Sequence, residues 1–467
     1  MSIFKKRGSP PMGELMFSNK ALISLLVPLV LQQILTVTVG TVDSMMVAYA
    51  GEAAVSGVSL VNTLDTVLVI FFTAMVGGGA VVISSSLGAK EGKACEAAKQ
   101  LLYIATFLAA VLTTAVLILR YPLLNLLFGD AEADVMAHAR DYFFFVALSF
   151  PLLAIDSSIA ASFRSSGNSL VSLIISLMTN VVNIGFNALF IIGLGMGAKG
   201  AAIATLISRA VASVVYMIII HNKKHPVHIE RLFHYKPDFS IIKRILNIGV
   251  ANGIENTMFQ FGRLMTQSLI STMGTASIAA NAVALTLSGY QYMTGTACSS
   301  AMITVVGRCV GAKKYDQAKY YSRKILFVNY VLLWAVIAFT MIFLSPLVSA
   351  YNLSDYSSEL AKKMIIVHAL VAAFIWPLGF MLPSSFRSAG SVHFPMVISM
   401  VSMWTFRVVG AYFLALDTVS VFGLFTLPGV GLGIQGVWCA MFIDWFFRCP
   451  IYLIRYLSGK WIKMKKV

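Results

Sequence analysis

The chain contains one pattern written twice. Gly88-Ala89-Lys90 returns as Gly311-Ala312-Lys313, 223 residues later (311 − 88). Ser162-Phe163-Arg164-Ser165, followed by Gly167, returns at the same spacing as Ser385-Phe386-Arg387-Ser388, followed by Gly390. Gly51-Glu52-Ala53 returns as Gly274-Thr275-Ala276 in that register. Motifs spread from residue 51 to residue 167 that hold one offset mark a duplicated unit, so both halves must fold alike. Duplicated bundles are a common build of membrane transporters, with the substrate path at the repeat interface.

Composition supplies the solvent. Hydrophobic residues make up 58% of the 467, charged residues 12%, and the mean hydropathy is +0.83. A water-soluble surface takes about 25% charged residues, so most of this chain faces lipid. Its spanning units must be helices of about 20 apolar residues, because each backbone N–H and C=O in hydrocarbon needs a partner within its own segment. The opening MSIFKKRGSPPMGEL lacks a cleavable-signal pattern, and the first span is expected to act as an uncleaved targeting signal. The five cysteines (95, 298, 309, 439, 449) show no metal or redox spacing and are read as small apolar residues.

Apolar windows fall at about 21–47, 58–86, 99–120, 140–162, 170–192, 200–220, 244–270, 281–307, 325–344, 360–383, 394–416 and 432–454, six per copy. An even number returns each copy to the side where it began. The expected fold is therefore an all-α integral membrane protein, twelve transmembrane helices in two parallel six-helix repeats. Its parts are an N-terminal lobe 1–220, a cytosolic linker 221–243 and a C-terminal lobe 244–467. Segments 1–20, 87–99, 162–169, 221–244, 308–324, 384–393 and 455–467 carry 26 of the 35 Lys and Arg, and the other connections carry five. That asymmetry places both termini in the cytoplasm and the protein in the plasma (inner) membrane as a multi-pass chain. It also accounts for the net charge of +16 as topological charge at anionic headgroups, with no call for nucleic acid. The linker, with His221, His225 and His228, is expected to be solvated. So is the acidic outward loop from Asp130 to Asp134.

Five of the 19 acids lie inside spans: Asp43, Asp65, Asp156, Glu255 and Asp444. A mid-bilayer carboxylate costs about 2.5 kcal/mol or more, so each needs a partner, a proton or water. Arg448 is one turn from Asp444 and is its expected partner. Asp156 lies toward the cytosolic end of its span, with Arg164 two turns on. Glu255 either pairs with Arg263 or faces a central cavity. Depth alone gathers Asp43, Asp65, Asn183, Asn187 and Thr205 in the outer half of the first bundle, with Asn183 and Asn187 on one helix face. A carboxylate among carboxamide and hydroxyl oxygens can hold a proton or ligate a small hard cation.

Across nearly the whole chain the pattern resembles the multidrug and toxic compound extrusion (MATE) family. The resemblance rests on Pro28 followed by Val42-Asp43-Ser44-Met45-Met46-Val47 and Gly51, on the doubled Gly-Ala-Lys and Phe-Arg-Ser-x-Gly motifs, and on Asn183-Ile-Gly-Phe-Asn187 followed by Gly200-Ala-Ala-Ile-Ala-Thr205. It implies a two-lobed antiporter that exports organic cations or other amphipathic compounds against protons or sodium ions, with no further cofactor. Asp43 falls on the family's first-helix acid, Asn183 on its fifth-helix Asn and Thr205 on its sixth-helix Thr. Asn187 stands where the family often has Asp. That weakens a sodium site at Asp43, Asn183, Asn187 and Thr205 without abolishing it. In the second lobe, Glu255 sits about a turn before the acid of sodium-linked relatives, and Trp376-Pro377 replaces an Asp, so a second ion site is not expected.

The resemblance further implies that the bundles rock about a cavity, with the first span bending at Pro28, where one helical hydrogen bond is missing. Tyr290, Gln291, Tyr292, Trp376 and Glu255 are the candidate cavity liners. The expected partners are small, cationic organic substrates and membrane lipid, and the working unit a monomer. A lipid-linked oligosaccharide flippase of the same superfamily is the alternative, though only Arg209, Arg263, Arg407 and Arg448 lie in spans. A membrane-embedded enzyme finds no paired Asp motif, His-Glu pair or Gly-x-Ser-x-Gly in the spans, and the glycine-rich stretches 193–200 and 429–436 read as turns. The charge asymmetry predicts that Asn222→Cys, in the linker, reacts with a membrane-impermeant maleimide only when the cytosolic face is open. Labelling from outside in intact cells would reverse the topology.

Overall fold

A computed structural model of the chain describes residues 15–90, 92–129, 132–230, 232, 236–421 and 425–462. The opening residues up to 14 and Asp130 of the acidic loop lie outside the described residues.

Twelve helical spans follow one another: α1 (Asn19–Ala48), α2 (Glu52–Ala89), α3 (Ala94–Phe128), α4 (Ala133–Leu148 continued by Phe150–Ser165), α5 (Ser169–Gly193), α6 (Gly197–Ile220), α7 (Phe239–Ser271), α8 (Thr275–Gly311), α9 (Tyr315–Ile342), α10 (Asp355–Ser388), α11 (His393–Ala415) and α12 (Ile434–Leu457). Among the described residues, nine of these are long and apolar enough to cross a membrane as single helices, and α4, bent by 43° at Ser149, makes a tenth. The remaining two, α7 and α8, have 33 and 37 residues. At about 1.5 Å per residue either exceeds a hydrocarbon core. Their polar content, such as Asn252, Glu255, Gln260 and Arg263 in α7, is what lowers their hydropathy. A short hairpin joins α11 to α12, with β1 (Thr418–Val421) antiparallel to β2 (Phe425–Pro428). The sequence pattern predicts no strands in this connection, only a turn over 429–436.

The repeated motifs turn out to be repeated geometry. Left-handed backbone occurs at Gly51 and Gly274 (φ 94° and 87°) and at Gly167 and Gly390 (φ 83° and 82°), each pair one repeat apart. Side chains rarely tolerate that region, which accounts for the glycines. The same pairing holds for Lys90 and Lys313 (φ 55° and 58°), which end α2 and α8. Within Gly-Ala-Lys, the glycine serves close packing. A Cβ on Gly88 would stand 2.0 Å from the Arg308 carbonyl oxygen, and one on Gly311 would stand 1.9 Å from that of Ser85. Ser85 and Arg308 are also one repeat apart (308 − 85), so the same close approach is made twice, with the two motifs exchanging roles.

The chain forms two compact units, one of Phe17–Gly253 with Gly307–Lys313, the other of Met1–Met16, Ile254–Val306 and Lys314–Val467. The division falls inside α7 at Gly253. In the first unit the start of α7 lies against α2, where a Cβ on Gly78 would come within 2.7 Å of the Gly249 nitrogen. The core there centres on Phe72, Phe143 and Phe150 among alanines. The second unit packs Trp376, Trp438, Phe442 and Trp445 into its core. The linker departs from the expected solvated segment. Val227 and Ile229 are buried, His225 meets the Phe163 ring edge-on at 5.1 Å, and Gln100 Nε2 donates to the Lys236 carbonyl. Alternating apolar residues give that strap a buried face.

The doubled glycine contact yields a stability prediction. Gly88→Val and Gly311→Val should each cost about 3 kcal/mol, since the obstructing atoms are backbone. Gly185→Ala, with nothing within 4 Å of its Cβ, should change stability by less than about 1 kcal/mol. Thermal unfolding of the purified protein checks this, and equal effects at all three positions would contradict the packing.

Candidate functional site

The first unit brings three of the five expected coupling residues into direct contact. Asn187, at the end of the α-helical part of α5, spends both amide hydrogens: Nδ2 donates to Asp43 Oδ1 of α1 at 2.9 Å and to Asn183 Oδ1 at 3.1 Å. Asn183 Nδ2 reaches Ser208 Oγ of α6 at 3.5 Å, and Ser208 Oγ donates to the Thr205 carbonyl at 2.9 Å. Thr205 therefore joins through Ser208, while its own hydroxyl donates to Ala201 O. The i, i+4 spacing of the two asparagines places both on one face of α5. Immediately after them the helix widens into a π-helical turn, Ala188–Gly193, a feature frequent at functional sites. Asn187 Oδ1 is buried and, among the described residues, has no hydrogen-bond partner. Among the described residues Asp43, half-buried, has no basic partner within salt-bridge distance.

Asp65 belongs to a second group. Its Oδ1 is buried and has no hydrogen bond among the described residues, and the charge acting on it is that of Arg209 of α6. Arg209 acts on Asp156 as well, and its Nη1 donates to Ser149 Oγ, at the bend of α4, at 2.6 Å. Asp156 accepts from Ser213 Oγ at 2.7 Å. Tyr142 lies in the field of Asp65, Arg209 and Asp43, which links the two groups electrostatically. The sequence reading counted Arg209 without assigning it a role. The signal available was that Arg209 is the one cation counted inside a span of the first lobe.

Pro28 lies inside a continuous α1. Having no N–H, it leaves the Ser24 carbonyl without its helical donor. Ser169 Oγ, at the start of α5, stands 3.3 Å from that oxygen and donates to Leu25 O at 2.8 Å. A replaceable side-chain bond thus stands in for a fixed backbone one, at the expected hinge.

In the second unit Glu255 pairs with Arg387, whose Nη2 is 2.8 Å from both carboxylate oxygens. Of the two alternatives for Glu255, this rules out the pairing with Arg263, which instead reaches Gln260 at 3.5 Å. The basic residue of the repeated Phe-Arg-Ser motif is the partner. Asp444 and Arg448 pair as expected, at 2.7 and 2.9 Å and fully buried, with Ser402 also donating to Asp444. Of the candidate cavity liners, Tyr290 is exposed, Gln291 fully buried, and Tyr292 stacks on Trp376 at 5.1 Å. Gln291 and Tyr292 hydrogen-bond the two ring nitrogens of His368, a fully buried residue that no sequence signal singled out.

Twelve spans in two duplicated units, with a polar cluster inside the hydrocarbon region, define a membrane transporter of the duplicated-bundle class. The MatE family model matches residues 28–189 and again 252–413, and the chain belongs to this MATE family. The two matches begin 224 residues apart (252 − 28), within one residue of the motif offset. The chain is 26% identical over 463 residues to the probable multidrug resistance protein NorM of Thermotoga maritima, covering 97% of this chain and 95% of that one. It is 24% identical to the uncharacterized transporter YisQ of Bacillus subtilis, covering 99% and 98%. Among solved structures, the outward-facing conformation of a multidrug resistance MATE family transporter of the MOP superfamily matches with a TM-score of 0.84 at 18% identity, over 96% and 97% of the chains. MATE in the bent conformation matches at 0.82 and 19%, over 94% and 96%. Both share the twelve-helix, two-repeat fold.

The two classes of intramembrane acid should separate in stability measurements. Arg448→Met strands a buried carboxylate and is expected to cost about 3–5 kcal/mol. Asp43→Asn gives up one half-exposed hydrogen bond and should cost about 1 kcal/mol. Unfolding of the purified variants decides it, and a reversed order would contradict the assignment of structural and functional acids.

Proposed function

We propose that the protein exports amphipathic organic compounds by antiport, with Asp43 carrying the coupling proton or sodium ion. The observation that supports this is that, among the described residues, Asp43 is met by the neutral Asn187 amide and by no cation, while the intramembrane acids Glu255 and Asp444 are paired with arginines. A carboxylate neutralised by arginine has little to gain from a proton; one held by a carboxamide keeps its appetite for positive charge. The multidrug relatives support the substrate class, and the charge distribution supports cytoplasmic termini in the inner membrane.

Asn187 supplies a way to sense the ion. Its amide now donates to Asp43, which suits the ionised acid. Rotation of the amide would turn the unpartnered Oδ1 toward Asp43. There it accepts the proton of a carboxylic acid, or joins Asp43 and Asn183 oxygens around a sodium ion. Either event moves α1 relative to α5. Ser169, holding the carbonyls beside Pro28 from the start of α5, lets α1 bend in response. The ion and substrate exchange because they favour different states of the same two-state protein.

Efflux of a fluorescent organic cation from proteoliposomes tests this, with pH and sodium gradients imposed separately. One gradient should drive wild-type efflux. Asp43→Asn should lower the driven rate by at least about tenfold, because a neutral carboxamide can no longer take up the coupling charge. Asn187→Leu should slow it while leaving the choice of ion unchanged. Driven efflux at the wild-type rate by Asp43→Asn would overturn the proposal.

A further inference from the structure

A second charged cluster, in the C-terminal unit, is unbalanced in the opposite sense. Arg407 lies in α11 within a π-helical stretch, Met403–Val409. Its electrostatic neighbours are Asp444, Tyr292, Arg263 and Arg448. Asp444 is the one carboxylate among them, and it is already taken by two bonds from Arg448 and one from Ser402. Three guanidiniums therefore share a single acid. Among the described residues Arg407 makes no hydrogen bond or ion pair, and its guanidinium lies over the Phe259 ring at 5.3 Å. The Arg448 guanidinium lies 5.8 Å from the same ring.

The packing forces this arrangement. Gly262 of α7 is so close to α11 that a Cβ there would stand 2.4 Å from Met403 Cε and 3.2 Å from Val408 Cγ2. Arg263 follows Gly262 and Arg407 precedes Val408, so the tight crossing carries two cations into one place. Like charges in a low-dielectric setting repel, and an unpaired cation in hydrocarbon is costly. A guanidinium fork without an acceptor, beside a second one and over an aromatic face, is a binding arrangement for an oxyanion on an apolar body.

We propose that Arg407 and Arg263, floored by Phe259, form a binding site for an amphipathic anion: a phosphate, sulfonate or carboxylate group attached to a hydrophobic body. The anion supplies the missing countercharge, and its apolar part lies against Phe259. Two sources share this chemistry, the headgroup of an anionic membrane lipid and an exported anionic or zwitterionic compound. The site is independent of ion coupling at Asp43, because occupancy can be read on protein at rest with no gradient present.

The test is equilibrium binding of a dansylated alkyl sulfonate to the purified full-length protein in phosphatidylcholine nanodiscs. Wild type should bind saturably, and Arg407→Gln should weaken binding by at least about tenfold. Arg407→Lys, which keeps the charge but loses the fork, should fall between them. Repeating the titration in equimolar phosphatidylcholine–phosphatidylglycerol separates the sources. Competition by the anionic lipid assigns the site to a headgroup, and undiminished binding assigns it to an exported compound. Absence of saturable binding in wild type, or Arg407→Gln within twofold of wild type, overturns the proposal. Should Arg407→Gln fail to fold, Arg263→Gln decides at an exposed position, where unchanged affinity overturns it equally.

Discussion

Hydrocarbon does not tolerate an idle charge, and the arrangement of this molecule follows from how each intramembrane charge is met. Asp444 is neutralised within its own helix by Arg448 and sealed in the core. Glu255 reaches across to Arg387 of α10. Asp65 and Asp156 share the field of Arg209. The Glu255–Arg387 pair ties α7 to α10, and in either ion pair removing one partner strands the other. Asp43 departs from the pattern, with a carboxamide in place of a cation. Arg407 departs from it as well, with an aromatic face in place of an acid. Positions where a structure accepts an unmet charge are where a mobile ion or ligand completes it.

Duplication explains why such exceptions can exist on one side only. The turn glycines, the left-handed lysines and the reciprocal glycine contact between the ends of α2 and α8 recur in register because they build the scaffold. The charged interior does not recur. One repeat on from Asp43 is Thr266 (266 − 43), and one repeat before Glu255 is Gln32 (255 − 223). A scaffold secured twice leaves each copy free to carry different chemistry. The first holds an acid with carboxamides, the second an excess of guanidinium groups.

Much of this was legible in the residues. Hydropathy and the repeat gave twelve helices, including α7 and α8, whose polar residues keep them below an apolar threshold. The spacing of Asn183 and Asn187 put them on one face of α5 because helix geometry is local, and depth set Asp43 at their level. Asp444 and Arg448 were readable for the same reason. Contacts between elements distant in sequence were not: the partner that helix spacing offers Glu255 is Arg263 on its own helix, with a cavity-facing position as the alternative, whereas Arg387 lies 132 residues away. His368 was missed because a single histidine in an apolar run carries no periodic signal. Depth placed Asp65 near Asp43, but depth holds no information about azimuth, and Asp65 faces Arg209.

Serine is the least visible actor in such a reading, because its role depends on one carbonyl or one side chain in another helix. Ser169 stands by the carbonyl that Pro28 leaves without a donor. Ser208 connects Asn183 to Thr205, and Ser149 holds Arg209 at the bend of α4. Each is a small group that can give up a single hydrogen bond and form another at a cost of about 1 kcal/mol. A helix held at its kink by backbone bonds would resist bending, and one held by nothing would waste a buried carbonyl. A hydroxyl lies between those limits. It stabilises the resting geometry enough to define it and weakly enough that neutralising one carboxylate can shift it. The same economy applies to Asn187, whose two amide hydrogens go one to Asp43 and one to Asn183, while its oxygen has no hydrogen-bond partner among the described residues.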